Sequence, residues 1–180
     1  MHSCWKTVNI AMELGLGRVY LLSSLLGILS FIFLFIPYSL IHQNIQIVEH
    51  GFLTVMIILI TLPTFHNLSH VIPLILLNKK IKGKFRFELG FWPIFSFRPM
   101  MMLPKGICIM SWLSPTLFLT VPGLIGAVML PSLYPYFLLF TAINIGISYK
   151  DFVYVHHFIK APHKSIIENR KDGFDILVKK

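Results

Sequence analysis

The chain has 180 residues, of which 56% are apolar, and its mean hydropathy is +0.75. At this length one domain is expected, and the hydropathy is that of integral membrane proteins rather than of soluble globular domains. The formal net charge is +9, but the basic residues are divided between segments of the chain rather than gathered on one face. We therefore expect contact with the lipid bilayer and no binding of nucleic acid.

Four apolar segments are each long enough, or nearly so, to cross a hydrocarbon core of about 30 Å. Their approximate limits are 19–41, 52–77, 107–130 and 133–155. The first is too long for the core of a signal peptide and is not followed by a small-x-small cleavage pattern, so it is predicted to be a retained span. The chain then divides into an N-terminal segment 1–18, a membrane domain 19–158 and a basic tail 160–180.

The positions of the basic residues predict the orientation in the membrane. Two precede the first span, seven lie between the second and third spans and more follow from Lys160, whereas the loop 42–51 has none. Because basic residues are retained on the cytoplasmic side, both termini are predicted to be cytoplasmic in the cell membrane. Cys4 and Cys108 would lie on that side and are predicted to be free thiols. The polar tail is expected to be ordered only in part.

The second apolar segment contains the motif His66-Asn67-Leu68-Ser69-His70. Two histidines four residues apart project from one face of a helix and can share a metal ion, as they do in the H-E-x-x-H motif of zinc peptidases. Here Asn67 stands at the glutamate position. Pro63 and Pro73 flank the motif, and prolines at that depth predict a bent helix that faces protein or a polar cavity on one side.

Between the second and third spans, charged and aromatic residues alternate over much of the stretch from Lys84 to Arg98, with Gly90 near the middle. Such alternation predicts two short strands around a turn. We predict an interfacial β-hairpin on the cytoplasmic side, its apolar face toward the bilayer or the bundle and Pro93 at a strand edge. The predicted fold class is an all-α integral membrane protein, a four-transmembrane-helix bundle with this hairpin between helices two and three.

The fourth segment carries Asn144, Ser148 and Asp151 at spacings that place them on one helical face. The apolar residues after Asp151 predict that the helix continues past it and buries the carboxylate. Ionisable residues within membrane spans are usually functional. With the two histidines, Asp151 completes a candidate zinc site of three ligands, and Asn144 and Ser148 would orient these ligands.

An interpretation of these residues without a metal ion also remains open. His66 and His70 would then hydrogen-bond carbonyls and hydroxyls inside the bundle, and Asp151 would pair with Lys150 or with a residue of the tail. The other histidines of the chain are predicted to be interfacial, loop or tail residues.

The layout resembles a bacterial family of zincin-like membrane metallopeptidases, first catalogued as a domain of unknown function and related in plan to the intramembrane site-two proteases. The resemblance covers most of the chain after about residue 50. It rests on the H-x-x-x-H late in the second span, the basic aromatic hairpin segment, a proline-containing third span, the pattern Asn144-x-x-x-Ser148-x-x-Asp151, and Pro162 followed by Asp172-Gly173 in the tail.

The resemblance implies that His66, His70 and Asp151 are the metal ligands and that the hairpin presents an extended substrate by strand addition. In the active pattern the glutamate takes a proton from the attacking water and returns it to the leaving amine. Asn67 cannot hold that proton near neutral pH, and loss of a general base costs about 10²–10⁴ in rate. We therefore expect a catalytically impaired relative that retains a metal and binds a membrane segment or a partner protein.

Two other functions stay open. An active intramembrane zinc metalloprotease would need a substitute base, and Glu88 and Glu49, the nearest acids by sequence, have no spacing that places them beside His66. A small transport component, in which the histidines and Asp151 relay protons or cations, is the third function. The absence of an internal sequence repeat gives the transport function little support.

Overall fold

The computed structural model describes residues 2–79, 81–88, 92–99, 102–170 and 173–179. Within these ranges the chain is mostly helical. The helices are α1 Ile10–Leu14, α2 Leu16–Ile41, α3 Gly51–Ser69, α4 Ile72–Leu76, α5 Lys105–Pro115, α6 Val121–Met129, α7 Tyr134–Ile147 and α8 Tyr149–Lys160. A π-helical turn, Thr116–Thr120, joins α5 to α6, and a 3-10 turn, Pro131–Leu133, joins α6 to α7.

Three helical stretches are long and apolar enough to cross a membrane, namely Leu16–Ile41, Gly51–Leu76 and Lys105–Met129. A shorter apolar helix covers Pro131–Ile147. Helices of this length and hydropathy are those of a membrane protein. A turn at His70 and Val71 separates α3 from α4, so the helix of the second span is interrupted between the two prolines that predict a bend.

The structure corrects the all-α prediction, because both ends of the chain contribute strands. β1 His2–Val8, β4 Leu103–Pro104, β5 Ile166–Arg170 and β6 Gly173–Lys179 form an antiparallel sheet in the order β1-β6-β5-β4. β1 pairs with β6 from His2 to Val8, whereas β4 meets β5 at only two positions. The tail, expected to be ordered only in part, therefore contributes two paired strands. The two strands pair with each other, and β6 also pairs with β1, more than a hundred residues away, a pairing of which local patterning gave no sign.

A second sheet consists of β2 Ile81–Glu88 and β3 Trp92–Pro99, paired antiparallel from Ile81 opposite Pro99 to Glu88 opposite Trp92. The two strands predicted between the second and third spans are present. Pro93 lies within β3, which is an edge strand because this sheet has two strands. The predicted turn around Gly90 and the apolar face of the hairpin lie outside the described residues. The backbone of β3 runs beside α3.

The four-stranded sheet packs on the ends of α5 and α8 around an apolar core. Its buried side chains include Val8, Leu103, Phe158, Ile167 and Ile176. This packing holds α8, the helix that carries Asp151, against the start of the third span.

A charged cluster ties the N-terminal segment to α8. Glu13 Oε1 lies 3.7 Å from Lys6 Nζ, and Glu13 Oε2 lies 3.3 Å from His157 Nε2. Burial and the nearby Lys6 ammonium lower the pKa of His157, and Glu13 partly opposes this shift. As predicted, Cys4 and Cys108 are free thiols.

α2 crosses α7 where both helices carry glycine. A Cβ added at Gly146 would lie 2.8 Å from the carbonyl oxygen of Ser23 and 3.1 Å from Gly27 Cα. Small residues that let two backbones approach so closely are typical of helix packing in membranes. The rest of α2 is largely exposed, and Val19 is its buried residue.

Candidate metal centre

The second span breaks next to the histidine motif. α3 ends at Ser69 because Pro73, four residues later, has no N–H to donate to the Ser69 carbonyl. Ser114 Oγ donates to that carbonyl instead, at 2.6 Å. Ser111 Oγ donates to the carbonyl of His70, also at 2.6 Å. Two hydroxyls of α5 therefore satisfy backbone acceptors at the break and hold it against the third span.

His66, His70 and Asp151 meet at this break. His66 Nε2 lies 3.1 Å from Asp151 Oδ2, and His70 Nε2 lies 3.6 Å from the same oxygen. One ligand atom from each residue lies within 4.8 Å of the others. His66 and Asp151 are each 3% exposed, whereas the His70 side chain is 18% exposed. The cluster is therefore buried and is most open on the side of His70.

Asn144 decides which nitrogen of His66 faces Asp151. Its Nδ2 donates to the Pro115 carbonyl at 3.2 Å and to Thr120 Oγ1 at 2.9 Å, which turns Oδ1 toward His66. His66 Nδ1 lies 2.9 Å from that oxygen. Because an amide oxygen only accepts, Nδ1 carries the hydrogen and donates it. Nε2 is therefore the ring nitrogen turned toward Asp151.

His70 is held in the same tautomer by the backbone. Its Nδ1 lies 2.9 Å from the carbonyl oxygen of Ser111, which only accepts, so Nδ1 again carries the hydrogen. The ring also lies against Trp112, with centroids 4.9 Å apart. A hydrogen bond from the second ring nitrogen to a fixed acceptor is how proteins orient metal-ligating histidines.

Three potential ligand atoms therefore converge in the cluster. Asp151 Oδ2 is buried and has no hydrogen-bond donor among the described residues, although two imidazoles face it. A buried carboxylate oxygen without a partner is costly and rare. A shared proton would satisfy two of the three atoms, whereas a metal cation would use all three.

The donor set and its spacing fit zinc. Zn²⁺ takes imidazole nitrogen and carboxylate oxygen at about 2.0–2.2 Å, which separates neighbouring ligands by about 3.3 Å in a tetrahedral site. The two distances from Asp151 to the histidines, 3.1 and 3.6 Å, lie on either side of that separation. All three ligand atoms lie within 4.8 Å of one another, so the residues present fit a zinc ion once side-chain rotation brings the most widely separated pair closer together.

The two residues predicted to orient the ligands lie in different surroundings. Asn144 contacts His66 directly. Ser148 instead donates its hydroxyl to the Asn144 carbonyl at 2.8 Å. A hydroxyl bonded to the carbonyl four residues earlier bends a helix, and α7 gives way to α8 at Ser148. Ser148 therefore lies at the junction between α7 and α8 and contacts the backbone there.

Sequence reasoning missed the residues of the third span that support the centre. Ser111 and Ser114 are three apart, so they share a helix face, and polar residues in an apolar span were a usable signal. Thr120 could not be placed on that face, because the π-helical turn after Pro115 changes the residue register.

Asn67 lies half-buried on α3, about 100° around the helix from His66. Among the acidic side chains that the structure describes, the cluster contains Asp151 alone. Glu49 precedes α3, at the end of the span away from the histidines. The side chain of Glu88, the other substitute base considered from sequence, lies outside the described residues.

Apolar helices of membrane-spanning length and a buried set of two histidines and a carboxylate define a membrane protein with a candidate metal centre inside its helical bundle. The chain belongs to the zincin peptidase family: the family model described as "Putative zincin peptidase" matches residues 56–166. This range includes His66, His70 and Asp151, and the match confirms the family resemblance drawn from sequence. Membership implies zinc as the metal. Comparisons with curated proteins and with solved structures find no match.

Proposed function

We propose that this chain is a membrane-embedded, zinc-binding member of its family that has lost peptidase activity and recognises a membrane segment of a partner protein. The observation that carries the proposal is the pair of imidazoles whose Nε2 atoms lie 3.1 and 3.6 Å from Asp151 Oδ2, a buried oxygen without a hydrogen-bond partner among the described residues. Such a set of ligand atoms can bind a metal cation.

His66, His70 and Asp151 would hold the ion, which when bound supplies Lewis acidity toward a carbonyl or a water molecule. Asn144 and Ser111 keep both rings in the ligating tautomer. Peptide hydrolysis also needs a group that accepts a proton from water and passes it to the leaving amine. The amide at Asn67 does not accept a proton near neutral pH, and this difference supports the loss of activity.

The four-stranded sheet supports four membrane crossings. Its strands share one sheet and so lie on one side of the membrane. α2 and α3–α4 lie between β1 and β4, and α5–α6 and α7–α8 lie between β4 and β5, so each pair leaves that side and returns to it. The basic residues favour the cytoplasm as this side, with both termini there.

Partner recognition would use the second sheet. A two-stranded sheet leaves one edge of each strand unpaired, and an extended peptide can add to such an edge through main-chain hydrogen bonds. Because β3 runs beside α3, a strand added on this side of the molecule would lie near the helix that carries the histidine motif.

Zinc content tests the metal centre. The wild type purified in detergent should contain close to one zinc per chain by elemental analysis, and His66→Ala should contain almost none, because a ligand is removed. His156→Ala, an exposed histidine of α8, is the matched control and should keep its zinc. Equal occupancy in the wild type and His66→Ala would contradict the proposal.

Restoring the glutamate tests the loss of activity. With a membrane substrate in proteoliposomes, Asn67→Glu should cleave about 10²–10⁴-fold faster than the wild type. Adding His70→Ala to Asn67→Glu should abolish the gained activity.

The complete ligand set with its orienting hydrogen bonds favours a second candidate, an active intramembrane metalloprotease. Wild-type cleavage that His70→Ala removes would establish this second function and overturn the first.

A further inference from the structure

An apolar pocket of about 490 Å³ lies apart from the histidine cluster. Its walls come from three places in the chain: the first turns of α3, the segment from the π-helical turn into α6, and the start of α7. Its lining includes Val55, Ile58, Phe118, Gly123, Phe137 and Phe140. The volume lies within the range of ligand pockets, about 300–1,000 Å³.

The pocket opens onto the surface that the candidate spans present to the membrane. Ile58 and Phe118 line it and are each 41% exposed. Their neighbours on the same elements, Ile57 and Leu117, are 54% and 60% exposed. Both elements belong to stretches long and apolar enough to cross a bilayer, so the opening is continuous with a surface that faces hydrocarbon rather than water.

The pocket also has a polar end. His50 and Tyr136 line it there, and the backbone N–H of His50 donates to Tyr136 Oη at 3.2 Å. Tyr136 therefore keeps its own hydroxyl hydrogen for another acceptor. The loop before α3 is held at this end, because the Val48 N–H donates to the Ser132 carbonyl at 3.1 Å.

We infer that the pocket binds one acyl chain of a membrane lipid, with the oxygens of the lipid head at His50 and Tyr136. An apolar cavity of this size takes up apolar guests, because its lining otherwise lacks contacts. The bilayer supplies acyl chains at the opening. A chain inserted from that side would have its polar end at the polar end of the pocket.

The dimensions favour a lipid over a membrane helix of a partner protein. A helix with side chains is about 10 Å wide, so a volume of about 490 Å³ equals roughly one helical turn. A single acyl chain is far thinner than a helix and can occupy a pocket of this volume. The lipid would also lie close to the metal centre's supports, since the π-helical turn with Phe118 carries Thr120, which accepts from Asn144.

Photocross-linking tests the inference. The protein is reconstituted in vesicles that contain phosphatidylglycerol with a diazirine near the end of one acyl chain, irradiated, and mapped by peptide mass spectrometry. We expect labelling of the peptides that contain Phe118 and Phe137. Ile58→Trp, which fills the pocket, should reduce this labelling to the level of α2 peptides. Ile57→Trp, on the exposed face one residue away, should leave it unchanged.

Val55→Phe fills the same pocket and serves if Ile58→Trp does not fold. Labelling that is equal in the wild type and both filling variants would overturn the inference. An apolar transmembrane peptide that abolishes lipid labelling and is itself cross-linked at Phe118 would assign the pocket to a protein partner instead. Zinc content, measured on the same samples, separates a filled pocket from a disrupted metal centre.

Discussion

At Asp151, a buried carboxylate oxygen lies 3.1 and 3.6 Å from the Nε2 atoms of two imidazoles. The arrangement follows from acceptors placed on the far side of each ring. Asn144 Oδ1 takes the hydrogen of one ring and the Ser111 carbonyl takes that of the other. The chemistry of the centre is therefore set as much by these two acceptors as by the three candidate ligands.

The asparagine that orients His66 should matter for metal affinity. Asn144→Ala removes the acceptor for His66 Nδ1–H and frees the ring to rotate or change tautomer. We expect zinc affinity to fall about 10–100-fold, as for other groups behind a metal ligand. Titration against a chelator of known affinity measures the change.

Ser148→Ala is the control for this change, because that hydroxyl bonds a backbone carbonyl in the same helix. Its zinc affinity should stay close to that of the wild type. An unchanged affinity in Asn144→Ala, with a normal elution volume, would show that the amide does not position the ligand.

Two helices of the bundle, α3 and α7, end beside residues of the candidate metal centre. Pro73 ends α3 beside His70, and α7 gives way to α8 at Ser148, before Asp151. At the first break, Ser111 and Ser114 satisfy two carbonyls that the helix does not. Such breaks are tolerated at membrane depth because neighbouring side chains replace the lost hydrogen bonds.

The close contact between α2 and α7 should not tolerate a side-chain carbon added at Gly146. Gly146→Ala places a Cβ 2.8 Å from the Ser23 carbonyl oxygen, a backbone atom that cannot rotate away. We expect a loss of about 1–3 kcal/mol in the free energy of unfolding, the usual cost of overpacking. The midpoint of thermal unfolding in detergent should fall accordingly.

Gly106→Ala is the matched control, since a Cβ there meets nothing within 4 Å. It should leave the midpoint unchanged or raise it slightly, because alanine favours helix over glycine. A midpoint for Gly146→Ala equal to that of Gly106→Ala would mean that the two helices do not pack as described.

At the scale of the molecule, one sheet gathers the N-terminal segment, the start of the third span and the tail. It closes the bundle at the end where α8 and α5 meet, close to the metal centre. Its strands come from segments of the chain that are separated by helices.

Thiol labelling tests this topology. Cys4 is exposed and Cys108 is buried, so Cys4 reports the N-terminal side. A membrane-impermeant maleimide should label Cys4 only after cells are permeabilised. In a Cys4→Ser background, Lys164→Cys should behave like Cys4, whereas Gln43→Cys, in the loop after α2, should be labelled in intact cells. Labelling of Cys4 and Lys164→Cys from opposite sides would contradict the shared sheet.

The sequence by itself determined the features that depend on neighbouring residues. Hydropathy identified the apolar stretches, alternation indicated the strands β2 and β3, and the prolines predicted a bend in the second span, whose helix is interrupted between them. The spacing of His66 and His70 and the family pattern were also readable, because a motif is a local property. The sequence alone was enough to identify Asn67 as a departure from the zinc peptidase motif.

The tertiary structure decided everything that depends on distant partners. The pairing of β1 with β6 joins residues at opposite ends of the chain, and the local sequence of neither strand indicates its partner. The hydrogen-bond partners of the two histidines come from α5 and α7, so the tautomers could not be read from spacing. The π-helical turn changed the register of the third span and brought Thr120 to Asn144. Sequence named the candidate ligands, and packing between helices decided which of their atoms face one another.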